Sequence, residues 1–435
     1  MKKFLLITYY WPPCGGVSVQ RWLSITKYMM MYDWLPTIIT TENGDYPYID
    51  KTLNKKVSSE IKVIRTKTPT FRQIFNYLLG KEEKLPYGSL EVSPDASFLK
   101  KILYLIRTQI IIPDARVIWN HYAFKAAENA ILRGMYEAVI TTGPPHSTHL
   151  IGLKLQSKYG LKWVADFRDP WTKIYYLQSE KRNFFIKYID KILESKVVQK
   201  ADKVVTVSEH IQQNLPKGNK CIISNSYDPD DFYDKIYEPK PVFRIKFVGA
   251  LTDSRKKEVL KTLFWIDDFA QTNNIYDIEF TLIGAFEEQP LDIIRKFPHI
   301  RFNNLPFMEH KKVLEECVQS EILLLVINKV QYNQGILTYK LFEYIGSQTY
   351  IMGVAPNNSD AQKILNKYNA GELYNYEEKD LFLNKLNMLY NKWKNNENIK
   401  NKTDCTEVST PHISSLYADV LNEITERKAY CDIKE

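Results

Sequence analysis

Short apolar runs typical of β-strands alternate with helical patterns along almost the whole chain, and this alternation restricts the fold more than any other feature. The candidate strands are 3–8, 36–41, 61–66, 137–142, 161–166 and 203–207, then 243–249, 278–283, 300–304, 321–327 and 350–354. Strands connected through helices pair in parallel, because a parallel connection needs a long crossover. A chain of 435 residues also exceeds what one hydrophobic core usually serves. The pattern therefore predicts an α/β protein with two doubly wound parallel sheets.

The alternation is interrupted once, and the interruption sets the predicted domain boundaries. Residues 228–242 are rich in Asp and Pro and show no periodicity, which is typical of a linker. We therefore predict an N-terminal domain over residues 1–227 and a C-terminal domain over residues 243–410. A last amphipathic helix, at about 411–428, is predicted to pack back on the first domain.

Charge and cysteine usage restrict the partners and the compartment. The net charge of +8 favours an anionic partner, but the chain has no long basic run and no aromatic RNA-binding signature, so no nucleic-acid partner is expected. The five scattered cysteines form no CxxC pair, which predicts free thiols in a reducing compartment. The apolar run at the N-terminus ends in Pro12 and Pro13 and predicts a first strand, not a signal peptide. A cytoplasmic protein is expected.

The segment 71–118 departs from the alternation and has two interpretations. Aromatic and aliphatic residues are interleaved with Lys and Arg in FRQIFNYLLGKEEK and FLKKILYLIRTQIII. In one interpretation the segment lies at an anionic membrane surface and attaches the protein peripherally to the inner face of the cell membrane. In the other, two helices pack on the core and their basic side chains extend to water. The sequence leaves both interpretations open.

A glycine loop follows the first predicted strand. The run FLLIT is followed by Pro12 and Pro13, and then by Gly15 and Gly16, before a helical pattern begins near Val17. Backbone N–H groups at a helix N-terminus attract anions, and glycine lets a phosphate or sugar approach the backbone closely. Gly15 and Gly16 are therefore predicted to contact a ligand. The alternative is an ordinary turn between a strand and a helix.

Two more strand ends in the first half carry reactive side chains. His146 ends the run TTGPPH, and Asp166 and Asp169 flank Arg168 in the run DFRDPW. Ligands of doubly wound sheets gather at the carboxyl ends of the strands, and burial of such carboxylates without a function is costly. We therefore predict that Asp166, Asp169 and His146 orient or deprotonate a substrate hydroxyl. The alternative is a structural pairing of aspartate with Arg168 and a structural histidine.

One strand end in the second half places basic residues after a glycine. In FVGALTDSRKK the predicted strand ends at Gly249, and Arg255 and Lys256 open the next helix. A glycine turn followed by cations at a helix N-terminus suits the binding of a diphosphate. Arg255 and Lys256 are therefore predicted to bind a phosphorylated ligand. The alternative is that these side chains are simply solvated.

A second strand end in that half combines a loop with a helix that carries both signs of charge. In GILTYKLFEY, Gly335 ends the loop and Thr338 is predicted to cap the helix. The first turns of that helix hold Lys340, which could meet a phosphate, and Glu343, which could bind ribose hydroxyls with both oxygens. Gly335, Thr338, Lys340 and Glu343 are therefore predicted to line the same ligand site.

Taken in order, these motifs resemble those of the GT-B glycosyltransferases, in particular glycosyltransferase family 4. The resemblance covers nearly the whole chain and rests on TYYWPPCGG, TTGPP, DFRDPW, ADKVVTVSE, ISNSYDPDDF, FVGALTDSRK and KLFEY. It implies two Rossmann-like domains that face each other across a cleft, with the acceptor mainly on the N-terminal side and the nucleotide sugar on the C-terminal side. It also implies that Arg255 and Lys256 bind the donor diphosphate and that no metal and no cofactor is bound. Glu343 matches the second glutamate of the family's E-x7-E motif, which is expected on the ribose.

The chain departs from the family pattern at two positions. Gly335 stands where the first glutamate of the E-x7-E motif is expected, so a carboxylate beside the transferred sugar is missing. Ser226 stands at a turn position where the family typically has glycine. With no carboxylate at position 335, the resemblance suggests transfer with retention of configuration, in which the leaving phosphate helps to deprotonate the acceptor.

The function that the resemblance implies is a metal-independent glycosyltransferase of the hexosyltransferase class. It would move a sugar from a nucleoside-diphosphate sugar to a glycan or lipid-linked acceptor in cell-surface polysaccharide biosynthesis. Two alternatives share the fold. One is a nucleotide-sugar epimerase. The other is a non-catalytic binding protein, which stays an alternative because Gly335 replaces an expected glutamate.

Overall fold

The chain is divided into two compact units. Unit 1 comprises Met1–Ser224 and Pro411–Glu435, and unit 2 comprises Asn225–Thr410. The computed structural model describes residues 1–46, 48–70, 73, 76–77, 98–174, 182–249, 251, 253–284, 296–401 and 403–431. Of the segment 71–118, residues 71–72, 74–75 and 78–97 lie outside the described residues. None of the helices among the described residues is long and apolar enough to cross a membrane.

The strands and helices follow one another in alternation through both units. The strands are β1 (Lys2–Ile7), β2 (Trp34–Thr41), β3 (Lys62–Thr66), β4 (Ala138–Gly143), β5 (Lys162–Phe167), β6 (Lys203–Thr206), β7 (Lys220–Ile222), β8 (Phe243–Val248), β9 (Ile278–Ile283), β10 (Arg301–Leu305), β11 (Ile322–Val326), β12 (Tyr350–Val354) and β13 (Gly371–Tyr374). The helices are α1 (Val17–Met29), α2 (Phe98–Gln109), α3 (Asn120–Arg133), α4 (His149–Tyr159), α5 (Phe184–Lys200), α6 (Glu209–Asn214), α7 (Asp253–Thr272), α8 (His310–Val318), α9 (Tyr339–Gly346), α10 (Asp360–Lys367), α11 (Lys379–Lys394) and α12 (Thr410–Cys431).

The sheet of unit 1 has seven strands in the order β3-β2-β1-β4-β5-β6-β7, and every neighbouring pair is parallel. The central strands β1, β4 and β5 are almost entirely buried, as expected for strands that helices cover on both faces. The order reverses between β1 and β4, so the loops after these two strands diverge and leave room for a ligand between them.

The sheet of unit 2 has six parallel strands in the order β10-β9-β8-β11-β12-β13, with the corresponding reversal between β8 and β11. Both sheets confirm the predicted α/β fold class, and every predicted strand coincides with an observed one. Two strands were not predicted, β7 with three residues and β13 with four. Strands this short contain too few residues to show a periodicity.

The last helix, α12, packs against unit 1 from Pro411 onward. The side chain of Asn422 accepts hydrogen bonds from Lys2 Nζ (3.1 Å) and Trp34 Nε1 (3.2 Å). Glu423 pairs with Lys203 on β6 at 2.8 Å. The end of the chain is thereby joined to three strands of the N-terminal sheet, and the core of unit 1 includes apolar residues from both segments.

Candidate functional site

The glycine loop after β1 starts α1 in a conformation that only glycine adopts readily. Gly16 precedes α1 with φ +83° and ψ −179°, and a Cβ atom there would be strained whatever the space around it. The N–H group of Gly15 donates to the carbonyl of Tyr48 at 2.9 Å, so the segment around Tyr48 closes one side of the loop. The predicted contact of Gly15 with a ligand would therefore not use its N–H group in this conformation.

Arg168 joins the loops that follow three neighbouring strands of unit 1. Its guanidinium donates to the carbonyl oxygens of Gly143 (3.2 Å) and Pro144 (2.8 Å) after β4, and to that of Ser18 (2.8 Å) in the first turn of α1. All three partners are backbone groups, which a planar fork of donors can bind simultaneously. Arg168 thus holds the glycine loop, the Gly-Pro-Pro loop and its own loop together. The sequence places it between two aspartates but does not indicate these partners.

Asp166, a predicted catalytic residue, lies in the interior of unit 1. Its carboxylate accepts hydrogen bonds from Trp22 Nε1, Thr142 Oγ1 and Tyr417 OH, each at 2.8 Å. The guanidinium of Arg21 lies 3.5 Å away, and Asp166 has no exposed surface. A carboxylate with three donors and no access to solvent has little capacity left for a substrate hydroxyl. This geometry favours a structural role for Asp166 over the predicted catalytic one.

Asp169 and His146 lie at the same sheet edge in different surroundings. Asp169 is exposed, whereas His146 is buried with its ring stacked on Trp171, 5.4 Å between centroids. Burial, followed by the charges of His149 and Arg168, lowers the pKa of His146 well below its usual value. His146 is therefore a neutral imidazole. Asp169 is exposed at its surface, although desolvation by the surrounding atoms raises the pKa of its carboxyl group and Arg168 partly opposes this.

A second histidine, which the sequence reasoning did not select, lies beside His146. His149 stacks on Phe167 with 4.4 Å between ring centroids, and its Nδ1 lies 3.0 Å from Thr141 Oγ1. Burial lowers its pKa to about 3, and its buried Nε2 has no hydrogen-bond partner among the described residues. A Cβ atom on Gly143 would come within 2.7 Å of this nitrogen, so only glycine fits there. Both histidines are visible in the sequence, where residues 141–149 read TTGPPHSTH.

In unit 2, two basic side chains from different helices meet at the end of β8. A Cβ atom on Gly249, where φ is +134°, would lie 3.6 Å from Arg255 Nη1 and 3.6 Å from Lys340 Nζ. Arg255 comes from the first turn of α7, and its Nε donates to Asn328 Oδ1 after β11 at 2.9 Å. Gly249 itself is therefore flanked by two basic groups, with no side chain of its own between them. Lys256 is the next residue of α7.

Lys340 is held almost completely inside unit 2. Its Nζ donates to the carbonyl of Val248 at 3.0 Å and lies 4.3 Å from the centroid of the Phe247 ring. Burial, followed by the charge of Arg255, lowers the pKa of Lys340 well below its usual value. The free protein thus keeps a poorly solvated amine beside the Gly249 backbone, and a nearby anion would favour its protonation.

Glu343 lies one turn further along α9 and pairs with a residue that the sequence did not indicate. Its Oε1 lies 2.5 Å from Nε2 of His310, the first residue of α8. The second carboxylate oxygen, Oε2, takes no part in this contact. Nδ1 of His310 is buried and has no hydrogen-bond partner among the described residues. His310 therefore fixes the orientation of the Glu343 carboxylate.

The loop before α9 differs in one detail from the prediction. Gly335 ends a short 3-10 turn, Asn333–Gly335, and is buried, while Thr338 stands at the N-cap position of α9 as predicted. The Thr338 side chain makes no capping hydrogen bond, and its buried Oγ1 has no partner among the described residues. The expectation that this side chain caps the helix is therefore wrong, because the hydroxyl does not reach the first N–H groups of α9.

Lys340 and Glu343 on α9, Arg255 on α7 and His310 on α8 thus border the carboxyl end of the sheet of unit 2. The described residues include no group of three or more His, Cys, Asp and Glu side chains that could hold a metal ion. The arrangement offers two basic side chains beside Gly249, whose own N–H group donates to the carbonyl of Ile283 at 2.8 Å, and an oriented carboxylate one helical turn away. Basic side chains and a carboxylate at this spacing suit a phosphate joined to a polyhydroxyl group.

Comparison with known proteins identifies the architecture. No protein-family model and no curated protein matches the chain. A glycosyltransferase from Rickettsia africae is similar over 97% of this chain and 98% of its own, with 13% identity and a TM-score of 0.60. Sucrose-phosphate synthase from Thermosynechococcus elongatus is similar over 100% of this chain and 99% of its own, with 11% identity and a TM-score of 0.57. HepE of Anabaena, in complex with UDP-glucose, covers 100% of both chains with 10% identity and a TM-score of 0.52.

These similarities extend over both units and match the two Rossmann-like sheets described above. At 10–13% identity they show the architecture and not the substrate. The chain therefore has the GT-B fold that its motifs predict.

Proposed function

We propose that the protein is a glycosyltransferase that moves a sugar from a nucleoside-diphosphate sugar to a glycan or lipid-linked acceptor. The observation that carries this proposal is the convergence of Arg255 and Lys340 on the Gly249 backbone. A similar fold binds UDP-glucose in HepE of Anabaena, which supports the class of donor. The same proposal includes membership of glycosyltransferase family 4 and hexosyl transfer without a metal. It also includes peripheral attachment to the cell membrane and a place in cell-surface polysaccharide biosynthesis.

In the proposed reaction the bond between the sugar C1 and the diphosphate oxygen breaks, and a bond from C1 to the acceptor oxygen forms. The diphosphate leaves with the bonding electron pair, and the acceptor proton passes to one of its oxygens. Arg255, Lys340 and Lys256 would stabilise the negative charge that develops on the leaving group, which is usually a large catalytic contribution. Because Gly335 supplies no carboxylate, transfer on one face with retention is the proposed course.

On the acceptor side we propose Asp169 and His146 as the groups that orient the acceptor hydroxyl. Asp169 is exposed and can accept a hydrogen bond from a hydroxyl group. His146 is neutral because burial lowers its pKa, and its two buried ring nitrogens have no hydrogen-bond partner among the described residues, so it would contact the acceptor only after its loop moves. Glu343 would bind the ribose hydroxyls through the oxygen that His310 leaves uncommitted. Gly15 and Gly16 would border the acceptor at the start of α1, with Gly16 providing the close approach.

The experiment that tests this function is an analysis of products from a panel of nucleotide sugars, with and without glycan and lipid-linked acceptors. Transfer predicts a nucleoside diphosphate and an acceptor whose mass increases by one sugar residue. An isomerised sugar formed without any acceptor would support the epimerase instead. Failure of every nucleotide sugar to bind in calorimetry would support the non-catalytic alternative.

Lys340 gives the donor site a measurable proton linkage. Its pKa is low in the free protein, and a bound diphosphate beside the amine would raise it. At a pH between these two pKa values the complex therefore holds more protons than the separated partners. We expect net proton uptake in that pH range when a nucleoside diphosphate binds, measured by calorimetry at a series of pH values in buffers of different ionisation enthalpy. Lys340→Met should remove the uptake, and a wild-type binding enthalpy that is independent of the buffer would contradict this prediction.

His310 is expected to act as a positioning residue for Glu343. Replacement of His310 by Phe removes the 2.5 Å contact, and we expect the KM for the donor to rise by about fivefold while kcat changes little, because ribose binding persists through the reaction. His310→Gln, which can still donate to the carboxylate, should recover part of the loss.

The matched control is His299→Phe. It breaks a histidine–carboxylate pair with Asp267 that lies just before β10, at the other end of the strands. Equal effects of both Phe variants would refute the specific role of His310.

A further inference from the structure

Helix α5 in unit 1 exposes apolar side chains and buries acidic ones. Its exposed residues are Phe184, Phe185, Tyr188, Ile189 and Ile192, with exposed fractions from 40% to 75%. The buried side of the same helix includes Asp190 and Glu194 beside the apolar residues Ile186, Val197 and Val198. A surface helix of a soluble domain normally shows the reverse arrangement, with its apolar face inward. The exposed aromatic face is therefore suited to binding a partner.

The buried acids show that this orientation is built into the packing of unit 1. Asp190 Oδ2 pairs with Arg182 Nη1 at 2.6 Å, and both side chains are almost fully buried. Glu194 accepts hydrogen bonds from the backbone N–H of Thr172 (3.1 Å) and from its hydroxyl (2.8 Å). Rotation of α5 to bury its aromatic residues would break these contacts and leave acids unpaired, which is strongly destabilising for a buried pair. The apolar face is thus fixed toward the outside of unit 1.

Helix α2 continues this face. Gln109 Oε1, at the end of α2, accepts a hydrogen bond from the backbone N–H of Asn183, the N-cap of α5, at 3.0 Å. Leu105 on α2 and Ile110 just after it are also exposed. We call the exposed apolar residues of α2 and α5, with Ile110 and the exposed lysines of the two helices, the α2–α5 face.

Among the described residues of α2 and α5, the exposed charged side chains of the face are basic. Lys101 on α2 and Lys187, Lys191 and Lys196 on α5 are exposed. The sequence of α2 contains no acidic residue, and both acids of α5 point inward. Aromatic side chains mixed with lysines favour an interface of lipid head groups with negative charge. Two copies of the same basic face would repel each other, so a second copy of this chain is the less suitable occupant.

We propose that the α2–α5 face docks on an anionic lipid bilayer, with Phe184, Phe185 and Tyr188 inserted among the head groups and the lysines paired with lipid phosphates. The proposal extends the contact to α5, which lies outside the segment 71–118 that the sequence singles out, and includes α2 from within that segment. It does not depend on the residues of that segment that lie outside the described part of the chain.

Docking through α5 also indicates which kind of acceptor the protein uses, and this step rests on the proposed function. Glu194 holds Thr172, and Trp171 donates from Nε1 toward Asp190 Oδ1 at 3.4 Å, so the inner side of α5 contacts the loop after β5. The same loop carries Asp169 and, through Trp171, contacts the ring of His146. A bilayer bound to the outer side of α5 would therefore be close to the acceptor groups. This favours a lipid-linked acceptor over a free glycan.

Sedimentation of the full chain with vesicles tests the docking. Vesicles of phosphatidylglycerol and phosphatidylcholine in equal parts should bind the wild-type protein at low salt, and vesicles of phosphatidylcholine alone should bind it much less. The triple variant Phe184→Ser, Phe185→Ser and Tyr188→Ser should lower the partition coefficient by more than about tenfold, because three aromatic side chains no longer insert. Lys187→Glu with Lys191→Glu should lower binding to the anionic vesicles alone.

Matched controls separate this proposal from the proposed function. Tyr233 and Tyr276 in unit 2 are also exposed aromatic residues, and Tyr233→Ser with Tyr276→Ser should leave vesicle binding unchanged. Donor turnover with a water-soluble acceptor should be unchanged in the triple variant, so lost turnover and lost docking are distinguishable. Vesicle binding that is equal in wild type and triple variant would overturn the proposal. A dimer in solution that the triple variant abolishes, without vesicle binding by the wild type, would assign the face to a second copy and overturn it as well.

Discussion

Replacement of Arg255 by alanine is expected to lower kcat/KM for the donor by about 10² to 10³-fold. Arg255 is one of the two cations that flank Gly249, and Asn328 fixes its orientation through Nε. A preorganised guanidinium beside the leaving diphosphate stabilises charge that is larger in the transition state than in the ground state. Its removal should therefore lower kcat more than it raises KM, which steady-state kinetics with a soluble acceptor will show.

Two companion variants make the Arg255 experiment specific. Arg255→Lys keeps the charge but loses the planar fork, so we expect an intermediate loss. Lys257→Ala removes an exposed cation from the same helix two residues later and should change kcat/KM by less than about twofold. Similar losses in Arg255→Ala and Lys257→Ala would mean that general charge, and not the site at Gly249, controls turnover.

Replacement of Asp166 by alanine is expected to destabilise unit 1 by about 3–5 kcal/mol. The substitution leaves Arg21 fully buried without its carboxylate, although Arg21 keeps hydrogen bonds to the carbonyls of Ser224 (2.6 Å) and Ile223 (2.8 Å). It also removes the partner of Tyr417, whose hydroxyl lies between Arg21 and Asp166. Chemical denaturation followed by tryptophan fluorescence will measure the loss, because Trp22 itself donates to this carboxylate.

The Asp166 experiment also decides between the structural and the catalytic interpretation of the DFRDPW motif. Asp169→Ala changes an exposed carboxylate three residues later and should cost less than about 0.5 kcal/mol of stability, yet reduce acceptor turnover. The opposite pattern, with Asp166→Ala as stable as the wild type but inactive, would restore Asp166 as a catalytic residue. Asp166→Asn should be less destabilising than Asp166→Ala, because the amide oxygen can still accept hydrogen bonds.

The sequence predicts the fold well because the fold depends on local pattern. Apolar runs separated by helical periods suffice to locate the strands of two parallel sheets, whereas β7 and β13 are too short to stand out. The rule that ligands gather at the carboxyl ends of strands also directs attention to the loop where two basic side chains of unit 2 meet. Arg255 and Lys340 do meet at such an end.

The parts of the site that the sequence could not predict depend on contacts between distant residues. The two aspartates of DFRDPW look equivalent in the sequence, but the direction of the β5 side chains buries one of them against Tyr417 on the last helix. His310 and Glu343 lie on different helices, and the stretch before His310 gives no sign of the pairing. The predicted domain limits and the roles of the site residues stay predictions that the variants above address.

The most direct measurement of the central claim is a crystal structure of the full chain with uridine diphosphate, supported by calorimetry under the same conditions. The claim predicts the diphosphate at the Gly249 backbone, within hydrogen-bond distance of the Arg255 guanidinium and the Lys340 amine, with the ribose hydroxyls on Glu343. Uridine diphosphate bound to unit 1, or bound to unit 2 with its phosphates away from Gly249, would contradict it.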